Sequence, residues 1–363
     1  MRSQDVYGEK VTPLNYLSPR VLGLGTAVPK FRYSQREIYD MSARVVPQYK
    51  HPRIEQIFMN SDIDYRHFSF DSSTFSPPET ADQLHERFAQ SSVPLALDAI
   101  RQCLTSANAR VEEIDAIIAV TCTGYLCPGL SALIARELKA KSNLQRSDLV
   151  GMGCAGAMPG LQRAYEYTST YPDRKALVVT VEICSACYYI DESLETVVGN
   201  AICADGAAAV LVGVGEPDSG PEILRFETLL DSRYIETVGF QFKAGKLRIV
   251  LSKDIRGVAG TLAAQVIGSM LTERGLDKKD IRFWVIHSGG RRVIDAIKES
   301  MVLTEEQLAS SRCVLRNFGN MSSPTVLFVL QDAMKNGRPA RGDLGVMLAM
   351  GPGLAVEGGL LRW

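Results

Sequence analysis

A chain of 363 residues, 46% hydrophobic and 22% charged, has enough apolar surface for one large or two medium cores, which excludes a disordered or disulfide-stapled protein. A formal net charge of -1 offers no electrostatic grip on nucleic acid or an anionic membrane. No apolar stretch reaches the ~18–20 residues of a bilayer span, and the polar start Met1-Arg2-Ser3-Gln4-Asp5 lacks a signal peptide's apolar run, so a cytoplasmic protein is expected.

The first ~20 residues carry no periodicity and read as an arm. Val21–Pro29 reads as a buried strand running into a loop, and Ser34 as the cap of a helix through about Ala43. Residues 47–79 are polar and Pro-containing, with a loop marked by Asp71, Ser72, Ser73, Ser76, Pro77 and Pro78. A helical pattern runs from Thr80 to about Ala107; Pro94 predicts a kink or two helices. Ile114–Cys122 is a continuous β-branched run, as in a strand covered on both faces. A loop (Thr123–Pro128), a helix (Leu130–Ala140) and a strand-like run (Ser147–Val150) follow. A helix at Ala157–Thr168 and buried strands at Ala176–Ile183 and Ala207–Gly215 complete the first half.

Gly215–Pro221 is the sharpest composition break, and beyond it the alternation restarts. Strands are expected at Ile223–Leu230, Leu247–Leu251, Phe283–His287, Leu344–Met350 and Val356–Leu361, with helices at Val258–Arg274, Arg291–Ser300 and Ser323–Lys335. Strand–helix alternation of this kind indicates α/β layers. Two such runs point to duplicated halves, residues 1–217 and 218–363.

Eight cysteines in so long a chain read as thiols of a reducing compartment. Cys184-Ser185-Ala186-Cys187 is a solitary CxxC with no His pair at ligand spacing, so no metal site is expected there. Cys154 differs from the rest. It sits among small residues where strand gives way to helix, in Gly151-Met152-Gly153-Cys154-Ala155-Gly156-Ala157-Met158-Pro159. A thiol at a helix start is drawn toward the thiolate by backbone N–H groups and the helix dipole. A buried structural cysteine in a tight turn fits the same residues. Of four histidines, His287 alone closes an apolar strand and opens into a Gly-rich loop, Ser288-Gly289-Gly290. A satisfied core histidine reads the same way. Asn320 precedes a helix start with Ser322 or Ser323 available as its N-cap, and could itself be a cap or turn residue. Together, a thiol, an imidazole and a carboxamide can perform acyl transfer with carbanion formation. The imidazole takes the thiol proton, and imidazole and carboxamide N–H groups hold a thioester oxygen as it becomes an enolate.

Five motifs carry a resemblance. Gly153-Cys154-Ala155-Gly156, Ile286-His287-Ser288-Gly289-Gly290, Gly319-Asn320-Met321-Ser322-Ser323, Ala204-Asp205-Gly206-Ala207-Ala208-Ala209 and Gly351-Pro352-Gly353 occur in family order. The chain resembles a type III polyketide synthase, the chalcone-synthase-like branch of the thiolase fold, over roughly residues 20–363. The resemblance implies a five-layered αβαβα homodimer that needs no metal or cofactor and uses acyl-CoA and malonyl-CoA as substrates. Cys154 would take the acyl starter, while His287 and Asn320 would hold the malonyl thioester through decarboxylation. The enolate then attacks the Cys154 thioester, and the cycle repeats before ring closure.

The resemblance also assigns a pocket. Cys203 and Ile249 fall where plant enzymes have two gating phenylalanines; Cys122, Thr123, Cys184 and Cys187 fall at cavity walls, and Glu182 at a buried acidic position. Cys127 aligns with a residue that reaches into the partner's cavity, and Ser322 joins the substrate-binding set from the asparagine loop. Smaller gates imply a longer or wider acyl group, and alkylpyrone, alkylresorcinol or other small phenolic products. At the CoA mouth Arg53 matches one of three basic positions, Gln56 and Asn60 replace the others, Arg66 follows, and Arg291 with Arg292 could compensate. Two rivals share the scaffold. A single-condensation ketoacyl synthase is disfavoured by the Gly351-Pro352-Gly353 loop, and a non-catalytic acyl-CoA or lipid binder by the intact Cys154, His287 and Asn320 set.

Overall fold

The computed structural model describes residues 18–363 except 74, 192, 253 and 254, so most of the expected N-terminal arm lies outside the described residues. The first half runs β1 (Pro19–Ala27), β2 (Phe31–Ser34), α1 (Gln35–Val45), α2 (Pro52–Met59), β3 (Tyr65–Phe68), α3 (Ala81–Ser106) and β4 (Ile114–Thr121). It continues with α4 (Leu130–Leu138), β5 (Gln145–Val150), α5 (Ala157–Thr170), β6 (Lys175–Glu182), α6 (Leu194–Ile202) and β7 (Gly206–Val214). The second half runs β8 (Glu222–Leu229), β9 (Val238–Lys243), β10 (Lys246–Leu251), α7 (Ile255–Thr272), β11 (Ile281–Ile286) and α8 (Arg291–Met301). It closes with α9 (Ala309–Phe318), α10 (Thr325–Asn336), β12 (Leu344–Met350) and β13 (Val356–Arg362).

The strand order β5-β4-β6-β7-β1 continues into β8-β13-β12-β11, and the two groups meet through one bridge, Arg20 to Glu222. With the β2–β3 and β9–β10 pairs set aside, each group places its first strand beside its last, then its penultimate, then its second. The senses repeat too: β4 and β6 are parallel, as are β11 and β12, and the remaining pairs in these positions are antiparallel.

Side-chain alternation along the strands builds the layers, since successive residues face opposite sides. On β4, Ile117 and Ala119 pack with Ile100 and Ile134 of the outer helices α3 and α4. Ile118 and Val120 face the other way, toward Leu161 of α5 and Leu330 of α10. On β11, Val285 joins that central layer, whereas Trp284 and Ile286 pack with Ile267 of α7 and Ile294 of α8. Helix, sheet, paired helices, sheet and helix therefore stack in five layers, each buried aliphatic side chain contributing about 1.5–3 kcal/mol. Residues of α5 and α10 share the central layer.

Several expectations are corrected. Of the two alternatives at Pro94, a kink or two helices, the second is not met: Pro94 lies inside a single helix, α3, and one missing N–H in a 26-residue helix otherwise held by a Thr80–Gln83 capping box does not divide it. The polar stretch 47–79, in which the sequence marks only the loop, also holds α2 and β3. Two helices, α6 and α9, and strand β9 go beyond what periodicity predicts; α6 carries Val197, Val198 and Gly199, and α9 carries two serines and an asparagine, all weak helix formers.

Candidate active site

Cys154 lies in a helical turn just before α5. Gly153 has φ +52° there, and a Cβ on it would come 2.3 Å from Pro352 Cδ. A Cβ on Gly351 would come 2.6 Å from the Met152 carbonyl oxygen. Glycines at 153 and 351 thus let the cysteine turn and the Gly351-Pro352-Gly353 loop close on each other.

Asn320 reaches Cys154 from the other half. Its Oδ1 and Nδ2 lie 3.8 Å and 3.9 Å from Cys154 Sγ. The carboxamide is oriented on both sides: Oδ1 accepts the Ser322 N–H at 2.9 Å, and Nδ2 donates to the Gly289 carbonyl at 3.3 Å. The second bond ties Asn320 to the loop after His287. Ser322 adopts φ +59°, an uncommon conformation for a non-glycine residue, and so presents its N–H to the asparagine. The expected N-cap role of Ser322 or Ser323 is not found; Pro324 occupies the N-cap of α10, which has no side-chain cap bond. Instead, Ser323 Oγ donates to Glu182 Oε1 at 2.6 Å and Ser322 Oγ to the same oxygen at 3.4 Å.

Glu182, at the end of β6, is fully buried. Its other oxygen accepts from Thr121 Oγ1, Cys122 N, Thr123 N and Thr123 Oγ1 at 2.9–3.2 Å. Burial pushes its pKa up, and these donors oppose the shift. The buried acidic position therefore pins the asparagine loop to the end of β4.

His287 is buried with neither ring nitrogen bonded to a protein atom. Burial pushes its pKa down to about 4 and pushes the Cys154 thiol up to about 12. His287 is buried and Cys154 half-buried. Burial favours the neutral thiol and imidazole, against the sequence expectation of a thiolate at a helix start. No hydrogen bond joins Cys154 to His287 among the described residues. The two unpartnered ring nitrogens are free for a thiol proton on one occasion and a substrate oxygen on another.

The other expected pocket residues divide. Cys122 and Thr123 line a cavity of about 800 Å³ whose walls include Leu84, Phe88, Leu230, Phe240 and Leu247. Cys122 Sγ is 3.3 Å from Ser322 Oγ, which links this cavity to the asparagine loop. Cys184 and Cys187 are buried just past β6, with Cys187 Sγ donating to the Thr123 carbonyl at 3.4 Å. Cys203 is half-buried and forms a parallel bridge with Asn320. Ile249 on β10 packs toward Gly199 of α6, and Cys127 is exposed.

Arg53 is exposed on α2. Arg291, at the start of α8, contacts Asp62 at 3.5 Å, so the loop after α2 and the start of α8 do come together. Arg66 departs from its expected place at the mouth. It is completely buried, because in β3 it shares the inward face with Phe68. Alternation in Tyr65-Arg66-His67-Phe68 is the signal that could have placed it inside. No cluster of three or more His, Cys, Asp or Glu side chains suited to a metal occurs among the described residues, and none of their helices is long and apolar enough to cross a membrane.

Two sheets around a buried helix pair, with a cysteine and an asparagine meeting at the helix starts, define a thiolase-fold acyltransferase. The sequence profile described as FAE1/Type III polyketide synthase-like protein matches residues 54–274, and that of the chalcone and stilbene synthase C-terminal domain matches residues 233–363. The chain is 33% identical over 356 residues to a 3,5-dihydroxyphenylacetyl-CoA synthase of Streptomyces toyocaensis, covering 95% of this chain and 90% of the relative. It is 31% identical over 351 residues to an α-pyrone-synthesis polyketide synthase-like protein of Mycobacterium tuberculosis, covering 93% and 89%. The crystal structure of PKS-I from the brown alga Ectocarpus siliculosus superposes with a TM-score of 0.91 at 29% identity, covering 97% of this chain and 100% of that one. The chain belongs to the type III polyketide synthase family.

Proposed function

We propose that this polyketide synthase loads an acyl starter from CoA onto Cys154 and extends it by repeated decarboxylative condensation with malonyl-CoA. The observation that carries the reading is the Cys154–Asn320 approach of 3.8 Å at the start of the central helix. In loading, Sγ attacks the starter carbonyl, His287 accepts the thiol proton, and CoA leaves as the thiol after taking that proton. In extension, His287 and the Asn320 Nδ2–H group hold the malonyl thioester oxygen. Loss of CO2 leaves the electron pair as an enolate, which attacks the Cys154 thioester and frees the thiolate. The lengthened chain, now on CoA, returns to Cys154 for the next round.

The starter is a fatty acyl or bulky aryl-acyl group, in keeping with the apolar walls of the cavity beside Cys122 and with Cys203 and Ile249 at the gate positions. Products are alkylpyrones or alkylresorcinols, a reading to which the α-pyrone-synthesis relative adds weight. A second reading, small phenolic products, draws on the likeness to 3,5-dihydroxyphenylacetyl-CoA synthase. Specificity constants over a panel of acyl-CoA chain lengths test the first: they rise with chain length. Turnover with p-coumaroyl-CoA and none with long acyl-CoAs would overturn it.

Arg53 and Arg291, with Arg292, hold the CoA phosphates; the Asp62–Arg291 contact supports a shared mouth. The enzyme is a cytoplasmic homodimer, with the exposed Tyr125, Val150 and Cys127 turned toward the partner, and Cys127 entering the partner's cavity. The halves divide at residues 217 and 218, between β7 and β8; among the described residues the two strand groups share only the β1–β8 bridge Arg20–Glu222.

A further inference from the structure

Arg66 is a fully buried cation with no carboxylate within salt-bridge distance among the described residues. Its pKa is pushed down to about 10 by burial, which leaves it charged at neutral pH. Asp205, also buried, accepts instead from Ser69 N and from Ser185 N and Oγ at 2.7–2.8 Å. An unpaired buried charge is costly, so what Arg66 holds in exchange is informative.

It holds the end of α6. A helix leaves its last carbonyls without intrahelical partners, and they form the negative end of its dipole. Arg66 Nη1 donates to the Asn200 and Cys203 carbonyls, each at 2.7 Å. Arg66 Nε donates to Gln35 Oε1 at 3.0 Å, and Gln35 Nε2 donates in turn to the Ala201 carbonyl at 2.6 Å. The remaining carbonyl, Ile202, accepts the backbone N–H of Asn320 at 2.8 Å, and the Asn320 carbonyl accepts Ala204 N–H at 2.9 Å. Asn320 is thus one of the caps of a helix end whose other caps are Arg66 and Gln35. The stem of Arg66 also lies under the preceding residue: a Cβ on Gly319, at φ +71°, would come 2.9 Å from Arg66 Cγ and Cδ and 2.8 Å from the Ile202 carbonyl.

We propose that Arg66 is a positioning residue for Asn320, fixing the α6 end on which the asparagine backbone is hung and so setting its carboxamide for the malonyl step. The proposal rests on the reading of Asn320 as the enolate-holding group. Cys154 stands on α5 and on the Gly351-Pro352-Gly353 loop, so starter loading does not depend on Arg66. The two half-reactions should therefore separate.

The test measures them one at a time. Malonyl-CoA decarboxylation is followed as acetyl-CoA formed in a Cys154→Ala background, and starter loading as the rate of acyl mass gain on otherwise wild-type protein. Arg66→Met is expected to lower the decarboxylation kcat about tenfold or more with KM held within about threefold, and to leave loading within about threefold. Arg66→Lys keeps the cation and donors for the carbonyls but loses the Nε bond to Gln35 Oε1, and is expected to lie between; it carries the test if the methionine variant fails to fold. Equal losses in the two half-reactions, or unchanged decarboxylation in the folded variants, would overturn the proposal. Asn320→Ala is measured alongside: if it leaves decarboxylation intact, the reading of Asn320 fails, and if it alone abolishes decarboxylation, only the role of Arg66 does.

Discussion

Ser323 Oγ donates a 2.6 Å hydrogen bond to Glu182 Oε1 across 141 positions of sequence. That contact joins the asparagine loop of the second half to the last residue of a strand in the first. With Thr121, Cys122, Thr123 and Ser322 also donating to it, the carboxylate is the hub where β4, β6 and the start of α10 meet. Every surrounding group is a donor, which explains why the site takes an acceptor-only side chain.

Replacing Glu182 should therefore damage stability as well as activity. Glu182→Ala leaves several buried donors unpaired, at about 1–3 kcal/mol for each one that finds no substitute. A fall in melting temperature of several degrees is expected, with larger loss of condensation than of folding. Thermal denaturation and turnover measured on the same preparation check it, and an unchanged melting temperature would refute the hub.

On the proposed mechanism the cysteine depends on His287 for its reactivity. Burial, with smaller contributions from Cys203 and Glu182, raises the Cys154 thiol to about 12, above the ordinary value of about 8.5. Since the thiolate is the form that alkylates, His287→Ala should label slowly with iodoacetamide at neutral pH, and its rate should climb only through alkaline pH. Wild-type protein, with imidazole available to take the proton, should label faster at pH 7. Equal rates across the pH range would show that His287 does not serve the thiol.

Gly153 tolerates no side chain. Its positive φ, and the 2.3 Å that would separate an added methyl carbon from Pro352 Cδ, leave Gly153→Ala both strained and overpacked. The variant should lose Cys154 acylation by about a hundredfold or fail to accumulate as folded protein. Normal acyl loading measured by mass spectrometry would contradict the packing.

At the proposed CoA mouth, Arg291 is partly occupied by Asp62. Arg291→Ala should raise KM for malonyl-CoA about threefold to tenfold with little change in kcat, as loss of uniform binding does. Asp62→Asn, which frees the guanidinium, should lower KM, and both effects should shrink as salt is raised. Steady-state kinetics at two ionic strengths decide it; an unchanged KM in Arg291→Ala would remove Arg291 from the site.

The proposed gate positions make a prediction about substrate length. Cys203 is half-buried and bridged to Asn320, so Cys203→Phe should fill space beside the carboxamide. The ratio of kcat/KM for long over short acyl-CoAs should fall about tenfold, and competition assays with mixed starters measure it directly. A ratio that does not move would place Cys203 away from the acyl path.

Most of the layered fold is readable because its strands are apolar runs and its central helices begin at recognisable turns. Cys154, His287 and Asn320 each stand at an element end beside glycines, and that punctuation marks them out. What is not readable lies where a residue's partner is distant in sequence. Ser322 and Ser323 look like helix caps until Glu182, 140 and 141 positions away, is seen to accept from them. Arg66 looks like one more surface cation in a polar stretch; only the carbonyls at the end of α6 explain its burial, and α6 itself, with its Val-Val-Gly run, gives a weak helical signal. Pro94 carries the opposite lesson, a strong local breaker overridden by a long packed helix.

Iterative extension on Cys154 is tested most directly by liquid chromatography–mass spectrometry of the products formed from malonyl-CoA with a panel of acyl-CoA starters. Wild-type protein should give cyclised products that carry the starter and more than one malonyl-derived two-carbon unit, with a transient acyl adduct mapped to Cys154, and Cys154→Ala should give neither. A product with a single added unit, or condensation that persists in Cys154→Ala, would contradict it.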